Sequence, residues 1–372
     1  MTKKIKVLIV DDSALMRKVL KEIINTDSTL EVVGTARDGY DALEKVRELK
    51  PDIVTMDINM PVMDGLTSLQ YILHEEPELP VLMVSSLTAE GALTTFEALE
   101  LGAVDYVTKP SGTVSNNLYV VGKEILQKIK LAYKSANKKS LKERRIRVEQ
   151  RHSLVKEVQR PVMKAVSAEI SSAEAQLGVK KVGKVNKVVV IGISTGGPGT
   201  LMEVLPMLPA DLKAAIIIVQ HMPPTFTNSF AKRLDAACAF PIKEAEAGEV
   251  LENGKGYLAP GGYQLVVRGE GMIRLTTTPS TLFMPSVDVT MESVLKTFNP
   301  KQIVGVLMTG MGDDGAEGMV KIRQAGGMTI AEDESTAVVF GMPREAIERG
   351  GAELVVPSYR MAEAIVEAVN KR

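Results

Sequence analysis

The sequence has no tryptophan, a single cysteine, three histidines and 4% aromatic residues. One cysteine, Cys238, excludes an internal disulfide and fits a reducing compartment. As an isolated residue it reads as a small buried apolar side chain. So few histidines and cysteines make a zinc centre a poor reading. Net charge is also lacking: 45 basic residues face 46 acidic ones, which gives no global attraction to nucleic acid or to an anionic membrane. No apolar run reaches the ~18–20 residues of a membrane span. The chain opens Met-Thr-Lys-Lys and enters an apolar strand at once, unlike the layout of a secretory signal. The expectation is a cytoplasmic protein that is not membrane-inserted. Its 372 residues, 45% hydrophobic and 24% charged, suffice for two cores.

What is present begins with a βαβ rhythm. Short apolar runs at Ile5–Val10, Glu31–Ala36, Ile53–Met56, Val81–Val84 and Val104–Val107 alternate with stretches of helical apolar spacing, such as Ala14–Ile24 and Tyr40–Leu49. That rhythm predicts a doubly wound parallel sheet, whose ligand site lies at the carboxyl ends of its strands. Those ends carry Asp11-Asp12, Asp57, Ser85-Ser86 and Lys109-Pro110. Carboxylates converging on one crevice repel, which implies a hard divalent cation such as Mg²⁺, with a lysine as a fixed positive charge.

On these residues the chain resembles the receiver domain of bacterial two-component response regulators, over roughly residues 3–125. The resemblance implies Asp57 as phospho-acceptor and Asp11 and Asp12 as the acidic Mg²⁺ pair, with the Asn59 carbonyl completing the metal shell. It further implies Ser85 as the switch hydroxyl, Lys109 as the phosphate-binding lysine and Tyr106 at the aromatic switch position. Phosphorylation adds a nearly dianionic group that would draw Ser85 and Lys109 inward.

From Lys134 to Lys164 the chain is strongly basic, with Lys138-Lys139 and Arg144-Arg145-Ile146-Arg147, and a second cluster comes at Lys180-Lys181. Large apolar anchors are scarce, so residues 126–186 read as a solvated basic linker, part of it an extension of the last receiver helix.

The second domain, residues 187–372, opens on the run Val188–Ile193, then Gly192-Ile193-Ser194-Thr195-Gly196-Gly197-Pro198. A buried strand followed by Gly-x-Ser-x-Gly and a proline fit for the first helical turn reads as strand, sharp turn, helix, with Ser194 exposed at the turn. The competing reading is a serine that only caps the helix. A second run, Ala214–Val219, ends in Gln220-His221-Met222-Pro223-Pro224, and a third, Ile303–Leu307, ends in Met308-Thr309-Gly310-Met311-Gly312-Asp313-Asp314-Gly315. A serine, a histidine and an aspartate pair thus follow parallel strands and share one sheet edge. His221 is the base by elimination, since His74 falls in a receiver helix and His152 in the linker. Asp314, Asp313, Asp288 and Asp333 are all candidates to orient it. The glycine-rich turn suits an oxyanion, or else opens a helix capped by Asp313. Segments near Ile242–Glu244, Gly256–Ala259, Gln264–Val267 and Met272–Leu275 read as an added antiparallel ribbon. Met284–Asp288 and Val338–Pro343 are placed at the cleft's border.

With Gly-Ile-Ser-Thr-Gly-Gly, Gln-His-Met-Pro and Thr-Gly-Met-Gly-Asp-Asp-Gly in this order behind a receiver, the chain looks like a member of the CheB family, the protein-glutamate methylesterases of bacterial chemotaxis. The resemblance implies Ser194 as nucleophile, His221 as general base and acid, and Asp314 as the residue holding His221. It implies that Thr195 supports His221 and the turn and that the Met311 N–H helps form the oxyanion hole. Many members carry Asn where this chain has Asp313. The implied substrates are glutamyl γ-methyl esters and selected glutamines of chemoreceptors, the implied phosphodonor a chemotaxis histidine kinase; no cofactor is expected in the catalytic domain. A DNA-binding regulator would need a basic helix-turn-helix in place of these Gly-rich strand ends. A non-catalytic receptor-docking scaffold would leave Ser194 inert.

Overall fold

The computed structural model describes residues 3–86, 88–110, 115–136 and 185–371. The first part runs β1 (Ile5–Val10), α1 (Ala14–Asn25), β2 (Leu30–Ala36), α2 (Gly39–Leu49), β3 (Ile53–Asp57), α3 (Gly65–Glu75), β4 (Val81–Ser85), α4 (Ala89–Leu101), β5 (Asp105–Thr108) and α5 (Ser115–Ala136). Helix starts are fixed by short side-chain oxygens. Ser13, Asp38, Asp64 and Thr88 each accept the backbone N–H of the residue three positions on. The strands pair in parallel in the order β2-β1-β3-β4-β5. Chain direction switches between β1 and β3, so the crevice for a ligand opens where Asp11, Asp12 and Asp57 stand.

Helix α5 continues past residue 125. Ile125, Ile129 and Ala132 recur at helical spacing and are buried against the sheet, so the 126–136 part of the expected linker is helix. The remaining basic stretch, with Lys138-Lys139, the Arg144–Arg147 cluster, His152 and Lys180-Lys181, falls in 137–184, outside the described residues.

The second part runs β6 (Val188–Ile193), α6 (Gly197–Val204), β7 (Ala215–Gln220), α7 (Pro224–Ala237), β8 (Ile242–Glu244), β9 (Gly256–Leu258), β10 (Gln264–Arg268), β11 (Met272–Thr276), α8 (Val287–Thr297), β12 (Ile303–Leu307), α9 (Ala316–Gln324), β13 (Met328–Glu332), α10 (Met342–Glu348), β14 (Leu354–Val356) and α11 (Ser358–Asn370). Seven strands form one sheet in the order β14-β13-β12-β6-β7-β9-β8, with every pairing parallel. β6, β7 and β12 are buried along their whole length, as continuous Val/Ile runs require. The antiparallel ribbon exists, but only as β10–β11. β8 and β9, grouped with it from sequence, extend the parallel sheet instead. Alternation within three-residue strands does not reveal pairing direction, and residues 245–255 supply the crossover without a helix.

The two parts share a buried seam. Phe96 of α4 stacks on Phe230 of α7 at 5.1 Å and meets Phe226 edge-on at 6.0 Å, while Tyr106 of β5 stacks on Phe226 at 5.0 Å. All four rings are at most 5% exposed. Fully buried aromatics of this size contribute on the order of 2–3 kcal/mol each through area alone. At the rim Arg233 Nε donates to Glu100 at 2.7 Å.

Beneath Tyr106 lies a cation. Lys128 Nζ donates to the Tyr106 carbonyl at 2.6 Å and stands 3.2 Å from Asp105 and 3.3 Å from Glu124. Asp105 is 3% exposed, so removing its partner strands a carboxylate in the interior. Lys128→Met is expected to destabilise the receiver by about 3–5 kcal/mol in chemical denaturation, and adding Asp105→Leu should recover most of it. A single variant as stable as the parent would show the pair to be idle.

Candidate active site and phosphorylation site

At the first sheet's carboxyl edge, Asp11 and Asp57 are buried and Asp12 is exposed. Their roles are divided by oxygen. Asp11 Oδ1 accepts the Ser13 N–H and Asp57 Oδ1 accepts the Ile58 N–H, both at 2.8 Å. The two Oδ2 atoms are buried and, among the described residues, meet Lys109 Nζ alone, at 3.2 and 2.8 Å. With Asp12 they offer oxygens within 4.8 Å of one another, the all-oxygen donor set of a hard divalent cation. Burial pushes the Asp57 carboxyl above its ordinary pKa and Asp11 adds to this, while Lys109 pulls the other way. Asn59 is exposed at the mouth. Ser85 faces the helix rather than the carboxylates: its Oγ lies 2.7 Å from Thr95 Oγ1 and 3.2 Å from the Gly91 carbonyl of α4. Tyr106 is buried in the seam against Phe226.

In the second sheet the strand order β12-β6-β7 sets three loops side by side. Ile193 and Gln220 are register partners, so Ser194 and His221 leave adjacent strands that lie about 4.8 Å apart. The turn after Ser194 is tied on both sides. Its N–H donates to Thr309 on β12's end at 2.9 Å, and Gln220 Nε2 on β7 donates to the carbonyls of both Ser194 and His221 at 3.0 Å. Gly196 holds the turn at φ +76°, where a Cβ would lie 2.5 Å from Val338. The N-cap of α6 is Gly196, without a side-chain bond, so Ser194 does not serve as the cap. On the other flank, Gly310 approaches so closely that a Cβ there would lie 2.9 Å from Ser194 Cβ, which brings the Gly310–Gly312 turn beside the hydroxyl.

His221 is fixed at Nε2, which lies 2.8 Å from Asp314 Oδ2. Its Nδ1 is buried and has no partner among the described residues. Asp314 owes its place to α8. Oδ2 accepts the Val287 N–H at 2.7 Å, and Oδ1 accepts the Asp288 N–H at 3.1 Å and the Ser286 hydroxyl at 2.8 Å. A carboxylate at a helix N-terminus is stabilised by unpaired N–H groups and the helix dipole. Burial alone would raise its pKa; the bond to His221, its charge and these N–H groups overcome that, and the carboxyl is held below its ordinary value. The arrangement is reciprocal: Asp288 in α8 accepts the Gly318 N–H at 2.7 Å and so caps α9, the helix that follows Asp314.

Of the four aspartates open in the sequence, Asp314 meets the imidazole. Asp313 is exposed and bonds to Arg349 at 2.7 Å, and it does not cap α9, whose N-cap is Gly315. Asp333 bonds to the Ser335 N–H. Thr195 is buried and its carbonyl accepts the Thr309 hydroxyl at 2.9 Å; it has no hydrogen bond to His221 among the described residues. Met311 is half-buried beside Gly310. Three contributors escaped the sequence reading. Gln220 and Ser286 lie in quoted motifs without a signal for their bonds. Phe283, stacked flat on His221 at 4.1 Å, lies just outside the loop assigned to the border.

Two families match. The one described as CheB methylesterase matches residues 189–365, and the response regulator receiver domain matches residues 7–116. A protein-glutamate methylesterase/protein-glutamine glutaminase of Caldanaerobacter subterraneus subsp. tengcongensis is 51% identical over 100% of this chain and 98% of its own length. A protein of the same name from Pyrococcus horikoshii is 46% identical over 99% and 95%. The solved catalytic domain of Thermotoga maritima CheB is 41% identical, covering 49% of this chain and 98% of that one, with a TM-score of 0.48.

The two buried aspartates should respond oppositely to neutralisation. Asp57 has a raised folded pKa, so its stabilising contribution exists below the unfolded carboxylate pKa and disappears as pH rises through the folded value. Asp314 has a lowered one, so its contribution exists above the unfolded pKa and disappears as pH falls through the folded value. In metal-free buffer at pH 7, Asp57→Asn should raise the thermal midpoint of its domain and Asp314→Asn should lower that of the other. Shifts of the same sign would contradict this electrostatic reading.

Proposed function

Since the chain belongs to the CheB methylesterase family, with a response-regulator receiver in front of the hydrolase, we propose that Ser194, His221 and Asp314 carry its chemistry. The protein is a receiver-regulated protein-glutamate methylesterase and protein-glutamine glutaminase. The observation that most supports the residue roles is the state of His221: Nε2 engaged by a carboxylate at 2.8 Å, Nδ1 buried and unpartnered at the strand end next to Ser194.

In this reading Ser194 Oγ attacks the carbonyl carbon of a glutamyl γ-methyl ester on a chemoreceptor, and its proton passes to His221 Nδ1. Asp314 stabilises the imidazolium that forms. The carbonyl oxygen, now carrying the negative charge, turns toward the Met311 N–H in the glycine-rich turn. Collapse breaks the bond to the methoxy oxygen, which takes the proton from Nδ1 and leaves as methanol. Water, deprotonated by the same nitrogen, then attacks the acyl-enzyme, and the proton returns to Ser194 as the carboxylate departs. For a glutamine, ammonia takes the place of methanol. Thr195 and Gln220 act through the backbone of the turn. The base uses Nδ1 and the carboxylate Nε2, the reverse of the arrangement in chymotrypsin-type triads.

In the receiver, Asp57 accepts the phosphoryl group from a chemotaxis histidine kinase. Asp11, Asp12, Asp57 and the Asn59 carbonyl would hold Mg²⁺, which supplies charge neutralisation on the phosphoryl oxygens when bound. Lys109 pairs with the phosphoryl group. Ser85 must turn from Gly91 to reach it, and Tyr106 lies on the neighbouring strand, stacked on Phe226 at the start of α7. Helix α7 follows His221 by only Met222 and Pro223. The end of α5, through Leu131, Lys134 and Ser135, faces Met311, Gly312 and Gly341 across a cavity of about 770 Å³. In this reading the receiver, before phosphorylation, covers the hydrolase's working edge, and phosphorylation loosens the seam. Among the described residues no helix is long and apolar enough to cross a membrane, and the reaction belongs to the cytoplasm, where receptor helices and kinase meet.

Ser194→Ala should lower methanol release from methylated receptor by about 10³-fold or more while Asp57 still takes up phosphate; retained activity would refute the nucleophile. Arg233→Glu sets like charges at the Glu100 rim and should raise the activity of the unphosphorylated protein about two- to fivefold. The double exchange Arg233→Glu with Glu100→Arg should return it to the parent rate. An unchanged rate in the single variant would count against the seam as a brake.

A further inference from the structure

We propose that Phe283 is a positioning residue for His221: it fixes the plane of the imidazole and thereby aims Nδ1. This rests on His221 being the base of the proposed reaction. The rings are nearly parallel, 5° apart, with centroids 4.1 Å from each other. The hydrogen bond from Nε2 to Asp314 and the covalent bond from Cβ to Cγ hold two points of the ring and leave its plane free to turn about the axis between them. A flat group on one face removes that freedom. The lone pair of Nδ1 lies in the ring plane, so fixing the plane fixes its direction. Proton transfer tolerates little error there, since a misplacement of about 1 Å can cost roughly 10²-fold in rate. The aromatic face also attracts an imidazolium more strongly than a neutral imidazole. Phe283 therefore favours the protonated ring formed during the reaction over the resting one, the kind of interaction that raises kcat.

The loop carrying Phe283 is built to hold it. Gln264, fully buried on β10, shares the two hydrogens of Nε2 among three acceptors, the Pro279 carbonyl at 3.2 Å, Thr281 Oγ1 at 2.8 Å and the Phe283 carbonyl at 3.2 Å. Its Oε1 accepts the Ser286 N–H at 2.8 Å. One side chain thus links the loop under Phe283 to Ser286, which itself donates to Asp314. Two of the groups that define the imidazole, its carboxylate and its stacking partner, are set by a common strut. Leu282, by contrast, is 88% exposed, so the adjacent side chain turns to solvent while Phe283 turns in.

The test uses the full-length protein, methylated receptor and the variants Phe283→Leu, Phe283→Tyr and Phe283→Trp. Leucine keeps apolar bulk without a plane; tyrosine and tryptophan keep a plane. We expect Phe283→Leu to lower kcat about tenfold with KM changed less than twofold, and the planar variants to keep most of kcat. The chain has three histidines, so histidine-selective labelling resolves the His221 ring protons in NMR spectra. The ring current of Phe283 should shift them upfield, and Phe283→Leu should abolish that shift. The proposal is overturned if Phe283→Leu keeps kcat within twofold, if only KM moves, or if the His221 resonances do not change. Ser194→Ala separates this from a failure of the serine-hydrolase reading: if it stays active, that reading falls, whereas loss of its activity beside a normal Phe283→Leu sinks only the stacking role.

Discussion

The contact between His221 Nε2 and Asp314 Oδ2 is the constraint on which the catalytic half depends. A carboxylate 8% exposed needs strong compensation to stay ionised. The compensation comes from the N-terminus of α8, whose first two N–H groups and preceding Ser286 hydroxyl all point at Asp314. The helix in turn needs α9 close by, and Asp288 ties it there. Moving either helix would unseat the carboxylate, and with it the imidazole. The sheet sets the other coordinate, since adjacent parallel strands leave Ser194 and His221 no choice but to be neighbours.

The receiver follows the opposite electrostatic logic. Its carboxylates are crowded with too little compensation: Lys109 is one cation between Asp11 and Asp57, and Asp57 is held above its ordinary pKa. A site left under-neutralised is ready for a divalent cation and responsive to added phosphate. The Asp314 carboxylate is satisfied, the receiver carboxylates are not, and the aromatic seam of Phe96, Tyr106, Phe226 and Phe230 joins the two parts. Coupling through such a seam needs two arrangements of nearly equal energy. Ser85, turned to α4, and Tyr106, packed on Phe226, are the residues that the proposed switch would move.

Much of this was legible in the chain. Apolar β-branched runs mark β1, β3, β6, β7 and β12, and each run ends in chemically distinctive residues: Asp11-Asp12, Asp57, Ser194, His221 and the Asp313-Asp314 turn. Parallel sheets collect such ends along one edge, so composition at strand ends translates into a site. The residues alone left open which of two adjacent aspartates faces the imidazole, and only the family resemblance pointed to Asp314. Both sit on one glycine-flanked turn, and the choice depends on α8, a helix that starts far upstream. Phe283 left no trace for the same reason, since a lone aromatic in a loop has no periodicity and its partner is distant in sequence. α5 runs on into the basic stretch, as expected of part of it, and its end at Ala136 was not marked because basic residues set in while its buried face, Ile129 and Ala132, still continued. The pairing direction of β8 and β9 is a property of the crossover, not of their own residues.

The most direct test of the central contact is the ¹⁵N spectrum of the His221 imidazole at a pH where the ring is neutral. The expected result is the tautomer with the proton on Nε2, shared with Asp314, and an unprotonated Nδ1 facing Ser194. A His221 signal showing Nδ1 protonated and Nε2 bare would contradict it.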